Sequence, residues 1–75
     1  MGSGIPVLTA NEVERILLRF GFDCRAGKGA HRFYRHADGR TTTVPFHLGR
    51  DISPVLLRKI CRDVGLTVEA FLGRR

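Results

Sequence analysis

Asp38-Gly39 stands between two runs rich in aromatic and β-branched residues, His31-Arg32-Phe33-Tyr34-Arg35-His36 and Thr41-Thr42-Thr43-Val44. This dipeptide is the strongest short-range signal for a β-hairpin, because both residues tolerate the positive φ angles of a tight return. The middle of the chain is thereby committed to an antiparallel pair, and the remaining residues must cover one of its faces. A further extended segment precedes the pair, so strands are expected near 22–26, 31–36 and 40–44.

The flanking segments have the period of helices. Thr9 stands three residues before Glu12, the spacing at which a capping side chain and a carboxylate satisfy each other's orphan amides. Val13, Ile16, Leu17 and Phe20 then recur on one stripe, which places a first helix over about 10–20. Ser53-Pro54 is a cap followed by the residue best tolerated at the first helical position, and Val55, Leu56, Ile60 and Val64 form the expected stripe of a second helix ending at Gly65. Thr67 opens one more short helical turn through Phe71 and Leu72. The predicted order is α-β-β-β-α: an α+β domain with a three-stranded antiparallel sheet and helices packed on one face, the other face left to a partner. Seventy-five residues suffice for one core. Residues 1–4 read as a flexible leader, 5–73 as a single domain and 74–75 as a basic tail.

Thirteen Lys and Arg against seven Asp and Glu give a net charge of +6, which favours polyanions. RNA, DNA, an anionic membrane surface and an acidic protein all fit that charge alone. Arg25, Lys28, Arg32, Arg35 and Arg40 fall on the strands and the loop before them, opposed only by Asp38. Alternation along the middle strand puts Phe33 on one side and Arg32, Tyr34 and His36 on the other. With Phe33 assigned to the core, Tyr34 and the arginines make an open face suited to stacking and charge contacts with a single strand, although a solvated strand face has the same pattern.

Gly27-Lys28-Gly29-Ala30 is a loop nearly free of side chains, either a plain turn or a landing place for a ligand. His31 follows it directly, where Lys28 and backbone amides such as that of Gly29 can hold a phosphate while the imidazole moves a proton. His36 and His47 suit structural or phosphate-contacting roles. The three histidines lack the paired short spacing of zinc ligands and the aspartates form no cluster, so no metal or other cofactor is expected. Cys24 and Cys61 lie far apart without a CxxC pattern and read as reduced thiols in a cytoplasmic protein, suited to small core positions rather than to nucleophilic chemistry. No apolar run reaches the roughly 20 residues that span a bilayer, and no membrane role is expected.

The stretch from Gly29-Ala30-His31-Arg32-Phe33-Tyr34-Arg35-His36 through Ala37-Asp38-Gly39-Arg40, then Val44-Pro45-Phe46-His47 and Ile60-Cys61-Arg62-Asp63-Val64-Gly65-Leu66, resembles the HicA family of toxins. The resemblance runs from about residue 5 to 72. It implies a fold like a double-stranded RNA-binding domain and an mRNA interferase activity that cuts mRNA. It also implies a HicB-type antitoxin that neutralises the toxin, with oligomers formed mainly through that antitoxin. On the same footing His31 is the catalytic residue, and Lys28, Gly29, Arg32, Tyr34, His36 and Arg40 are RNA-binding candidates. Many members carry serine before the histidine, where Ala30 stands here, so a hydroxyl contact from that position is lost. Two rival readings remain beside the nuclease: a non-catalytic RNA-binding module, and a subunit whose cationic face docks an acidic partner.

Overall fold

The computed structural model describes residues 7–25, 27, 29–46 and 51–73. Lys28 and His47 lie outside the described residues. The elements are β1 (Leu8–Thr9), α1 (Ala10–Arg19), β2 (Phe22–Arg25), β3 (His31–His36), β4 (Thr41–Pro45), β5 (Asp51–Ile52), α2 (Pro54–Asp63) and α3 (Val68–Leu72). The chain is an α+β domain, and its order matches that of a double-stranded RNA-binding domain apart from the two short strands β1 and β5 and the terminal helix α3.

Each helix starts where its cap dictates. Thr9 Oγ1 accepts from the Glu12 amide at 3.1 Å while Glu12 Oε1 accepts from the Thr9 amide at 2.8 Å, which completes the capping box of α1. Ser53 Oγ accepts from the Leu56 amide ahead of Pro54, and Thr67 Oγ1 accepts from the Ala70 amide to open α3. The anticipated last turn is therefore a capped helix of five residues.

Strands β2, β3 and β4 form an antiparallel sheet in that order. The β3–β4 register sets Tyr34 opposite Thr42 and Arg32 opposite Val44, and the β2–β3 register sets Phe22 opposite His36. Both α1 and α2 pack on β4, with α1 also against β2, so the helices cover one face. Beneath them the core gathers Val13 and Leu17 of α1, Phe22, Tyr34 and Val44 of the sheet, Ile52, and Leu57, Ile60 and Val64 at α2, with Phe71 of α3 closing one end.

Three features depart from the sequence reading. Leu8 pairs with Ile52 and Thr9 with Asp51 in a two-stranded antiparallel patch that ties the start of α1 to the approach to α2. Two residues per strand are too few to show a period, so nothing in the pattern announces them. The buried stripe of α2 is Leu57, Ile60, Cys61 and Val64, spaced three, one and three residues apart, whereas Val55 is 75% exposed and Leu56 only half-buried. Both settings of the stripe are helical in period, and the position of β4 selects between them. Cys61 is buried as anticipated, but Cys24, on β2, is exposed.

Truncation separates the two stripes. Leu57→Ala is expected to cost about 2–5 kcal/mol, the range for deleting a buried leucine side chain. Val55→Ala should stay within about 0.5 kcal/mol, as for other exposed sites. Urea denaturation of both variants checks this, and equal losses would refute the observed packing.

Candidate nucleic-acid interface

The sheet has two unlike faces. Phe22, Tyr34, Thr42 and Val44 point toward the helices and are buried, whereas Asp23, Arg25, His31, Phe33, Arg35, Thr41 and Thr43 occupy the alternate positions and are all exposed. This reverses the parity expected for β3. Tyr34 is 0% exposed and so offers no ring to a ligand, while Phe33, assigned to the core by its greater apolarity, is 38% exposed on the open side.

The reason lies in α1. Tyr34 Oη donates to Glu14 Oε2 at 2.6 Å, so the buried phenol keeps a strong partner. Arg32 Nη1 pairs with the same carboxylate at 3.1 Å, and its guanidinium lies 4.1 Å above the Phe46 ring. The Tyr34 bond, then the Arg32 contacts, hold the Glu14 carboxyl below its usual range against the opposing pull of burial. Burial, then the bond to Glu14, pushes the Tyr34 phenol far upward, so it stays a donor at any ordinary pH. Arg32 is thus a half-exposed cation whose charge is already matched.

Arg40 is also engaged within the fold. Its guanidinium grips both carboxylate oxygens of Asp38 at 2.8–3.0 Å and donates from Nη1 to the Val64 carbonyl at 2.6 Å, closing the end of α2. The side-chain and backbone bonds from Arg40 hold the Asp38 carboxyl down at about 2. His36 is half-buried, its ring edge-on to Phe22, with Nδ1 3.1 Å from the Asp38 amide and 3.0 Å from Asp38 Oδ1. Neutral, that nitrogen accepts from the amide; protonated, it donates to the carboxylate.

His31 is the first residue of β3, exposed, on the same face as Phe33 and Arg35. Gly27 lies close against its backbone: a Cβ there would stand 1.9 Å from the His31 carbonyl oxygen and 3.0 Å from Arg32 Cα. The Ala30 carbonyl accepts from the Phe46 amide, which pins the loop's other end to the chain leaving β4. Gly29, at φ +59°, has open space where a side chain would stand. Of the candidate residues, His31 and Gly29 therefore lie at one exposed end of the sheet, Arg32 and Tyr34 turn toward α1, and His36 and Arg40 gather at the hairpin. Sequence reasoning counted Arg25 and Arg35 in the cationic patch but set Phe33 inside, and so did not join the three as one open-face group. Val44, an evident core residue, marks them only once its cross-strand partner is known to be Arg32.

Among the described residues no group of three or more His, Cys, Asp or Glu side chains is set to hold a metal ion, and no helix is long and apolar enough to cross a membrane. Burial raises the Cys61 thiol, and Glu69 adds to it, which keeps that sulfur protonated and inert.

A comparison with protein-family models matches residues 10–66 to the HicA toxin of bacterial toxin-antitoxin systems. A search of curated proteins finds no match.

Two consequences are measurable. The stability Glu14 contributes is complete above its ordinary value of 4.5 and is lost as pH falls through its lower folded value. Glu14→Gln should therefore be clearly less stable than wild type at pH 7, with the gap narrowing by pH 3; a gap independent of pH would remove the ionic part of the contact. Gly27→Ala should lose well over the roughly 1 kcal/mol typical of a point substitution, because backbone must move to admit the methyl group; an unchanged melting temperature would contradict that close approach.

Proposed function

This chain belongs to the HicA toxin family of bacterial toxin-antitoxin systems, and from that premise we propose that it is an mRNA interferase, an endoribonuclease in which His31 transfers the proton. Membership makes it the toxin component of such a system and implies an antitoxin partner. The observation that carries the catalytic reading is the setting of His31: an exposed imidazole at the first position of β3, with Gly27 close against its backbone, on a sheet face the helices leave open.

In the proposed reaction the ribose 2′-hydroxyl attacks the adjacent phosphorus while a base removes its proton. The bond from phosphorus to the 5′-oxygen breaks, that oxygen takes up a proton, and a 2′,3′-cyclic phosphate remains on the upstream fragment. His31 serves one of these two transfers, the work for which imidazole is suited near neutral pH. Lys28 and the loop amides stabilise the developing charge on the phosphate oxygens. DNA is spared for lack of the attacking hydroxyl. The residues invoked are nitrogen acids and bases, so the reaction is proposed to run without a metal ion. The antitoxin, of HicB type, neutralises the toxin by covering the cationic sheet face, and works with it in the cytoplasm.

The test is labelled single-stranded RNA incubated in EDTA with wild type and His31→Ala, with product ends identified. Wild type should cleave to cyclic phosphate ends, and His31→Ala should be slower by about 10²–10⁴, the usual worth of one positioned acid–base group. Equal rates would remove His31 from catalysis. Binding without cleavage by wild type would make the chain an RNA-binding module; if Ala30→Ser then cleaved, the lost hydroxyl would be the cause.

A further inference from the structure

Phe33 is costly where it stands. It sits mid-strand on a face that no helix covers, 38% exposed, and its cross-strand neighbours are Arg25 and Thr43 rather than apolar residues. Along β3 it is followed at the second position by Arg35, which faces Thr41 and Asp23 across the strands. Arg25 and Arg35, with Asp23, His36 and Ala37, line a depression of about 280 Å³ on this side of the hairpin. Two arginines against one aspartate leave the strip positive. It differs from Arg32 and Arg40, whose charges are matched by Glu14 and Asp38.

We infer that this strip is a binding track for an unpaired RNA strand, in which a base stacks on Phe33 while Arg25 and Arg35 hold phosphates beside it. The inference rests on the nuclease reading of His31 and extends it by naming where the nucleotide next to the cut is held. His31 and Phe33 are two residues apart on one face, about 6.6 Å along the strand, the scale of one nucleotide step. An aromatic face flanked by cations is the recurring chemistry of single-strand binding, since every base has a π-face and every linkage a charge. A base inside a duplex has no free face to offer, so the track selects unpaired strands. Phe33 also favours whichever bases stack best at that position, which makes it a specificity-determining residue.

The probe is a 2′-O-methyl oligonucleotide of about ten residues, which binds like RNA but lacks the attacking hydroxyl, so binding is read apart from cleavage. Phe33→Ala should weaken its binding by roughly 5- to 100-fold, the effect of removing one stacked base contact. Phe33→Leu, which keeps an apolar side chain, should also bind more weakly while its melting temperature stays near wild type. Arg35→Gln should lower the slope of log affinity against log salt by about 0.7, the contribution of one phosphate on a single strand. The duplex form of the probe should bind more weakly than the single strand and be indifferent to Phe33.

Wild-type affinity in both Phe33 variants would overturn the track, even if wild type cleaves RNA through His31. Weakened binding in both variants would uphold it, even if wild type cleaves nothing and the nuclease reading fails. If the Phe33 variants bind RNA normally and lose only the antitoxin, the strip is a protein-docking surface and the proposal is overturned.

Discussion

The hydrogen bond from Tyr34 to Glu14 decides which way the middle strand faces. A phenol taken out of water without a partner loses several kcal/mol of solvation, on the order of the cost of any buried unpaired polar group. Glu14, one turn along α1 from the capping box, meets Tyr34 Oη at 2.6 Å and removes that cost. Arg32 keeps the carboxylate charged from the other side. A phenylalanine at the same inward position would bury as much ring but leave Glu14 with Arg32 and without its shortest hydrogen bond. The trio thus turns Tyr34 inward, and strand alternation then obliges His31, Phe33 and Arg35 to face out.

That choice divides the basic residues into two kinds. Arg32 and Arg40 lie on the helix side or at the hairpin, bonded to carboxylates and set over aromatic rings, so their first task is to hold α1, the hairpin and the end of α2 together. Arg25 and Arg35 stay on the open face beside an exposed aromatic ring. The glycine loop completes this division, since Gly27 lies so close to the His31 backbone that the first residue of β3 is located by packing on one side and by the strand ladder on the other. The proposed proton-transfer group is therefore held on rigid structure although its ring is exposed.

The hairpin shows why one residue of register matters so much. A two-residue loop formed by Asp38 and Gly39 alone would set Phe33 opposite Val44 and so bury it. The loop instead includes Ala37, with the Gly39 amide donating to the His36 carbonyl, and the register moves to Arg32 opposite Val44. A slip of one position transfers every side chain of a strand to the other face. Loop length and the Glu14 contact agree on the same register, and neither is visible in the period of β3 itself.

Local chemistry sufficed for the caps at Thr9, Ser53 and Thr67, the hairpin at Asp38-Gly39 and the α-β-β-β-α order, because each depends on residues a few places apart. Motif order likewise carried the family, since it lies in the chain itself. The tertiary structure alone decided that Tyr34 is inside and Phe33 outside, that α2 buries Leu57 rather than Val55, that β1 meets β5, and that Arg32 and Arg40 are bound within the fold. Each of these turns on a partner at least 18 residues away or on a choice between two faces of equal period. Periodicity states that a strand has two sides; only the groups waiting across the core, here a carboxylate able to accept the hydrogen bond of a phenol, determine which side turns inward.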